Sequence, residues 1–142
     1  MSFEDDLAVG QEVERKVLSK IQAKYPLSFM IDGCFKAYDI FIPEISKGIE
    51  VKYDIKCQET GNVCVEIECN NVDSALMTTR ADMWVFHTGG DRYWWVKPER
   101  LKDLIIKHNP KINTFIPKGS TSPVKAFLIK EDLLKEYAIN SP

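Results

Sequence analysis

The sequence predicts an α/β fold in which helices flank a mixed β-sheet, within a single domain that covers residues 1–142. Three observations support this class. Short segments of strand character alternate with turn residues along the middle of the chain, and segments with helical periodicity stand before and after them. A length of 142 residues suits one domain, and a hydrophobic content of 44% is enough to fill its core.

The helices are predicted from apolar periodicity and from the residues that end them. In the first helix, over 7–24, Val13, Val17 and Ile21 recur at helical spacing, and Pro26 ends the helix. The remaining helices are predicted over 98–108 and 131–137, with a short helical turn near 75–77.

Eight segments have strand character, and turn residues separate most of them. They cover 27–31, 36–42, 48–55, 63–69, 83–87, 92–96, 112–116 and 124–128. The fourth segment alternates clearly, with Val63, Val65 and Ile67 on one side and polar residues on the other. We expect the strands to pair around one mixed sheet.

The composition argues against a membrane or secreted protein. No apolar run approaches the roughly 20 residues needed to cross a bilayer. The acidic start, MSFEDDLAVG, lacks the basic residues that open a secretory signal. We therefore expect a cytoplasmic protein with no membrane partner.

Charge is distributed unevenly along the chain. Residues 1–96 contain 10 Lys or Arg against 16 Asp or Glu, whereas residues 97–142 contain 9 against 5. An acidic part that a metal ion would neutralise, beside a basic part that meets phosphate, is compatible with a nuclease. The net charge of −2, taken alone, argues weakly against nucleic-acid binding.

Two further groups of residues have a structural and a functional interpretation. Cysteines 57, 64 and 69 with His87 are a conceivable zinc site, but their spacings of seven, five and eighteen residues fit no common zinc module, which favours buried thiols. The aromatic residues Trp84, Tyr93, Trp94 and Trp95 suggest base stacking. Because the strands that carry them are predicted to be half buried, packing in the core or in a dimer is favoured.

The residues that predict chemistry lie in the segment YDIFIPEISKGIEVKYDIK. Asp39 lies in one predicted strand, and Glu50 and Lys52 lie in the next. Strand alternation puts Glu50 and Lys52 on the same face, and pairing of the two strands would bring Asp39 beside Glu50. The alternative is a solvated strand face with cross-strand ion pairs.

Two carboxylates and one amine at one point suit metal-assisted hydrolysis of a phosphodiester. Mg²⁺, for which Mn²⁺ would substitute, prefers oxygen ligands, so Asp39, Glu50 and the carbonyl of Val51 are candidate ligands. Lys52 would orient or help to deprotonate the attacking water and offset the charge that builds on phosphorus.

Other charged residues extend this hypothesis. Glu14 lies on or beside the buried stripe of the first helix, where an unpaired carboxylate is costly, whereas Glu12 faces solvent. Lys56, which continues the Glu50 and Lys52 face, and Arg80 are candidates for contact with DNA phosphate or plain surface charges. Glu66 is a further ligand or, as we favour, a surface charge.

The order and spacing of these residues resemble a known superfamily. Gly10-x-x-x-Glu14-Arg15, then Asp39, then Ile49-Glu50-Val51-Lys52 is similar to the Holliday-junction-resolvase and restriction-endonuclease-like branch of the PD-(D/E)XK nucleases. The segments KYDIKCQETGNVCVEIE and SALMTTRADMWVFHTG resemble small phage and bacterial nuclease-like proteins. The resemblance spans residues 10–96, and it departs from the pattern at Tyr38, where proline is usual.

The resemblance implies a restriction-endonuclease-like core, dependence on a divalent metal, and commonly a homodimer. It implies a Mg²⁺-dependent DNA endonuclease, structure-specific or junction-resolving, in the cytoplasm of a bacterium or of a phage host. Glu14 would be the helix carboxylate, in catalysis and at the metal. Asp39 and Glu50 would be the metal ligands, and Lys52 the catalytic lysine. Two alternatives stay open: a nuclease-fold module that binds DNA or protein without cutting, and an unrelated α+β domain.

Overall fold

The computed structural model describes residues 3–33 and 36–142, with the side chains of the first helix described from residue 8 onward. The described residues form four α-helices and nine strands, so the predicted α/β class is confirmed. The helices are α1 (Phe3–Gln22), α2 (Cys57–Thr60), α3 (Pro98–His108) and α4 (Glu131–Tyr137). Two 3-10 turns, Pro43–Ile45 and Ala75–Met77, add to them.

The strands form two sheets, and the expectation of a single sheet is wrong. The first sheet has the order β1-β2-β3-β6-β7 and the second β5-β4-β9-β8. The first comprises β1 (Phe29–Met30), β2 (Ile40–Ile42), β3 (Lys47–Tyr53), β6 (Met83–Gly89) and β7 (Arg92–Val96). The second comprises β4 (Asn62–Cys69), β5 (Val72–Asp73), β8 (Lys111–Phe115) and β9 (Val124–Lys130).

The chain leaves the first sheet after β3 because a turn and α2 redirect it. The Asp54 carboxylate accepts a hydrogen bond of 2.7 Å from the Cys64 amide, and this contact ties the end of β3 to the second sheet. The alternation of 63–69 correctly predicts a strand. This strand belongs to the second sheet, however, and not to the sheet that contains β3.

Strand β3 lies inside the first sheet and is paired on both sides. It is antiparallel to β2, with Ile40 opposite Ile49, and parallel to β6, with Glu50 opposite Trp84. The pairing makes the first sheet mixed, as expected. An interior strand is a rigid support for side chains that must keep a fixed geometry.

The first sheet is packed on both faces. On one face, Val13, Val17 and Ile21 of α1 pack against Ile49 and Val85. The opposite face packs against the second sheet with α3 and α4. That core contains the buried side chains of Cys57, Val63, Val65, Leu76, Ala81, Trp84, Phe86, Val96, Leu101, Leu104, Ile129 and Leu134. The core interpretation of Trp84 is thus confirmed.

The last helix is fastened to the first sheet by a partly buried polar network. The Glu131 carboxylate accepts hydrogen bonds from the Thr88 hydroxyl and, at 2.9 Å, from the Trp94 indole N–H. Arg92 Nε lies 3.6 Å from the same carboxylate. These groups provide hydrogen-bond and ion-pair partners for one another. They hold α4, and with it the C-terminal third of the chain, against the core beside β6 and β7.

No helix among the described residues is long and apolar enough to cross a membrane.

A glycine in β3 fixes the path of the chain before β2. A Cβ atom at Gly48 would lie 2.4 Å from Cδ1 of the Tyr38 ring. We therefore expect Gly48→Ala to lower the free energy of unfolding by about 1–3 kcal/mol, because the ring must move. Urea denaturation measures the change.

The control for this substitution is Gly10→Ala in α1. No atom lies within 4 Å of a Cβ at Gly10, so alanine should raise the free energy of unfolding by about 0.5–1 kcal/mol through helix propensity. Equal effects of the two alanines would contradict the packing of Tyr38 on Gly48.

Candidate functional site

The site is built around the carboxylate of Asp39, which is buried. Asp39 directly precedes β2 rather than lying inside a strand as expected, but its amide still donates to the Ile49 carbonyl at 2.9 Å. Its Oδ2 accepts a hydrogen bond of 2.7 Å from the Val51 amide. One hydrogen bond of its main-chain amide and one of its carboxylate therefore hold Asp39 against β3.

Glu50 and Lys52 project from β3 on the face that carries Trp84 and Phe86 in the neighbouring strand. The Glu50 and Asp39 side chains lie close enough that hydrogen bonding between them shifts the pKa values of both. Lys52 Nζ lies 3.9 Å from Glu50 Oε2 and 5.0 Å from the centre of the Trp84 ring. The structure thus brings Asp39, Glu50 and Lys52 together on one face of the sheet.

Glu14 approaches this group from α1. Its side chain hydrogen-bonds to Asp39, and its Oε1 lies 3.7 Å from Lys36 Nζ. Glu12 instead faces solvent and pairs with Lys16 at 3.5 Å. The helical phase inferred from the sequence therefore distinguishes the two glutamates correctly.

Lys36 is a member of the site that the sequence reasoning missed. Its Nζ lies 3.0 Å from Asp39 Oδ1, and its side chain is only 26% exposed. The spacing of three residues before Asp39 was the available signal, but it does not distinguish an inward lysine from an exposed one. The carboxylates of Asp39 and Glu14 thus already hold one cation, which is supplied by the chain itself.

The clustering of carboxyl groups shifts their pKa values in opposite directions. Burial, together with the hydrogen bond to Asp39, raises the pKa of Glu50 from 4.5 to about 8. Burial also acts to raise the pKa of Asp39, but hydrogen bonds from Glu50, from the Val51 amide and from Lys36 outweigh it and lower that pKa. The raised pKa favours the protonated form of Glu50, and the lowered pKa favours the charged form of Asp39.

The two flanking groups are shifted as well. Burial and the charge of Asp39 raise the pKa of Glu14. Burial acts to lower the pKa of Lys36, but its hydrogen bond to Asp39 and the surrounding negative charges raise it. Lys36 therefore stays charged and partly neutralises the cluster.

A cavity of about 420 Å³ opens beside these groups. Its lining comprises Lys36, Ala37, Glu50, Ala75, Thr78, Thr79 and Arg80. The Thr79 hydroxyl accepts a hydrogen bond of 3.0 Å from the indole N–H of Trp84, the residue beneath Lys52. Arg80 therefore lines the same cavity as Glu50. The sequence predicts only that Arg80 precedes a strand.

Two other candidates lie away from the position that the sequence suggested. Strand β3 ends at Tyr53, so Lys56 does not continue the face of Glu50 and Lys52 and instead precedes α2. The strand ends early because Asp54 turns the chain toward β4. Glu66 belongs to the second sheet, where it accepts a hydrogen bond of 2.7 Å from the Ser74 hydroxyl.

Three cysteines of the described chain, Cys57, Cys64 and Cys69, are free thiols. Burial, followed by the charge of Glu131, raises the pKa of Cys57 to about 11. Burial, followed by the charge of Asp54, does the same for Cys64. Because zinc is bound by thiolates, these shifts do not favour the zinc alternative.

The donor set near β3 has the chemistry of a site for a hard divalent cation. Asp39, Glu50 and Glu14 supply carboxylate oxygens, and the Lys36 ammonium stands in for a cation among them. Within residues 3–33 and 36–142, however, no group of three or more His, Cys, Asp or Glu side chains is arranged to hold a metal as it stands. The carboxylates of Asp39 and Glu14 lie around the Lys36 ammonium instead.

No family model, curated protein or solved structure matches the chain.

Proposed function

We propose that the protein is a metal-dependent endodeoxyribonuclease built on a restriction-endonuclease-like core. The observation that carries the proposal is the contact between the carboxyl groups of Asp39 and Glu50 beside the ammonium of Lys52 on one face of β3. Carboxyl groups gathered in a partly buried position are costly to ionise together unless cations offset their charge. A function that uses the cation accounts for their presence.

The oxygen donors of the site are of the type that a divalent ion such as Mg²⁺ or Mn²⁺ prefers. Asp39 and Glu50 would hold it, with Glu14 and the Val51 carbonyl as additional oxygen donors. When bound, the ion would polarise the scissile phosphate and make hydroxide available near neutral pH. Glu50 would bind the ion as the charged carboxylate, because a nearby cation favours that form.

Lys52 is the residue of this chain that acts on the reacting atoms. Its ammonium lies over the Trp84 ring and beside Glu50, so its position is fixed by contacts on two sides. From there it would orient the attacking water and offset charge on the phosphate. Burial of Trp84, which is 1% exposed, makes this support rigid.

DNA is the proposed substrate because the cavity carries basic groups beside the carboxylates. Lys36 and Arg80 both line it with Glu50. A phosphodiester that enters the cavity would meet the Glu50 carboxyl group together with the Lys36 ammonium and the Arg80 guanidinium. The homodimer implied by the resemblance remains a prediction.

A second candidate function is a nuclease-fold module that binds DNA or a protein without cutting. It is favoured by one observation, namely that Lys36 occupies the cation position among the carboxylates of the described chain. A module that never binds a metal needs only this internal ion pair to balance the charge of the carboxylates.

One experiment tests the proposal. The purified protein is incubated with supercoiled, linear, nicked, single-stranded and four-way-junction DNA, with Mg²⁺, with Mn²⁺ or with EDTA. Cleavage of at least one substrate that depends on metal supports the proposal. A rise in melting temperature with metal but no cleavage would indicate the binding module. No response to metal in either assay would overturn the metal site.

Arg80→Ala is expected to weaken DNA binding uniformly across sequences and to lower the salt slope of binding by about one. The reason is that Arg80 lines the cavity and would contact phosphate rather than a base edge. Fluorescence anisotropy measures binding in the Lys52→Ala background, where the DNA stays intact. Lys102→Ala, on the exposed side of α3, is the control. An unchanged salt slope would remove Arg80 from the interface.

A further inference from the structure

The position of Lys36 has a consequence for how the proposed site works. Its ammonium lies 3.0 Å from Asp39 Oδ1 and 3.7 Å from Glu14 Oε1. These two oxygens belong to the carboxylates that would hold a divalent ion. A cation of charge two that enters this group would compete with the ammonium for both oxygens, because like charges repel one another in a partly buried site.

We propose that Lys36 is an exchangeable internal counter-ion, which holds the carboxylates in place without metal and is displaced into the adjacent cavity when a divalent ion binds. The inference rests on the proposed function and adds a positioning residue to it. Lys36 keeps Asp39 and Glu14 converged so that the ligands do not have to be gathered on binding. Its release then places a positive charge where a DNA phosphate would lie.

Three features of the structure make the exchange possible. Lys36 is 26% exposed at the mouth of the cavity, so its head group reaches water without opening the core. The lysine side chain is long and flexible, and an ammonium is readily rehydrated. The cavity of about 420 Å³, which Thr78 and Arg80 also line, offers space for the displaced head group.

Asp39 does not depend on Lys36 alone for its position. The Val51 amide keeps its hydrogen bond to Oδ2 when Oδ1 is released. The carboxylate therefore presents a free oxygen to an incoming ion while it stays attached to β3. Because Oδ2 is held by the strand and Oδ1 is held by Lys36, the ion can replace Lys36 at Oδ1 while Asp39 keeps its position.

The first test uses the unmodified protein and does not measure cleavage. Amine acetylation is followed by mass spectrometry, with the exposed Lys102 as an internal reference. In EDTA, Lys36 should be acetylated several-fold more slowly than Lys102. Saturating Mg²⁺ should raise the rate at Lys36 by roughly threefold or more and leave Lys102 unchanged. In Asp39→Asn, which lacks the ligand charge, Mg²⁺ should no longer change the Lys36 rate.

The second test measures Mg²⁺ affinity by isothermal titration calorimetry. Lys36→Met keeps the aliphatic length but removes the competing charge, so it should bind Mg²⁺ roughly tenfold more tightly than the parent protein. Lys102→Met should leave the affinity unchanged. Equal or weaker binding by Lys36→Met, or a Lys36 acetylation rate that ignores bound Mg²⁺, would overturn the exchange while leaving the metal site intact. Absence of Mg²⁺ binding by the parent protein and by both variants would overturn the proposed function as well.

Discussion

Lys52→Ala is expected to lower the rate of DNA cleavage by about two orders of magnitude or more, while the fold and the affinity for metal are retained. The proposed ligands are carboxylates, and Lys52 lies beside them without being one. Removal of an ammonium 3.9 Å from Glu50 should slightly strengthen cation binding. Cleavage assays and melting temperatures with and without Mg²⁺ separate the two effects.

Lys47→Ala is the matched control for this substitution. Lys47 is the exposed first residue of the same strand, and among the described residues it forms no salt bridge with Asp39, Glu50 or Glu14. The Lys47→Ala protein should cut DNA at the rate of the parent protein. If Lys52→Ala also cuts at the parental rate, Lys52 is a surface lysine and the proposed mechanism is wrong.

Glu50→Gln is expected to remove most of the pH dependence of stability in the metal-free protein between about pH 5 and 8. Burial and the hydrogen bond to Asp39 raise the pKa of Glu50 to about 8, so in this window the folded protein holds a proton that the unfolded chain releases. The free energy of unfolding therefore falls as pH rises, by up to about 1.4 kcal/mol per pH unit.

The neighbouring groups do not reverse this sign. The pKa of Glu14 is also raised, so it contributes in the same direction. The pKa of Asp39 is lowered, so the stability that it provides is lost only at acid pH, outside the window. At pH 8 the metal-free Glu50→Gln protein should melt several degrees above the parent protein and should gain nothing from Mg²⁺.

Urea denaturation at several pH values measures this dependence, with Glu12→Gln on the solvent face of α1 as the control. That substitution should leave the pH profile unchanged, since Glu12 is exposed. Parallel profiles for the parent protein and Glu50→Gln would show that the carboxyl pair is not coupled in the way the structure indicates.

The elements with strong local signals were predictable from the sequence. The helix over 98–108 agrees with α3, because Pro98 suits its first turn and Asn109-Pro110 stops it. The final helix over 131–137 agrees with α4. The facing of Glu50 and Lys52 was predictable too, since alternation in a strand needs only local information.

The division into two sheets was not predictable, because alternation shows that a strand is half buried but not which strand it pairs with. The redirection after β3 depends on the hydrogen bond between Asp54 and the Cys64 amide, a contact across ten residues. Lys36 was missed for a related reason. Its partners come from α1 and from the residue before β2, and only the tertiary structure brings them together.

The hydrogen bond from the Val51 amide to Asp39 makes one side chain part of the strand ladder. Asp39 Oδ2 accepts a hydrogen bond from this amide as a strand carbonyl would. Asp39 directly precedes Ile40, the first paired residue of β2. When the pairing of β2 with β3 opens at this end, the carboxylates of the site therefore separate in the same local unfolding event. Amide hydrogen exchange at Val51 reports the integrity of the site directly, and the site is completed only when β2 and β3 have joined.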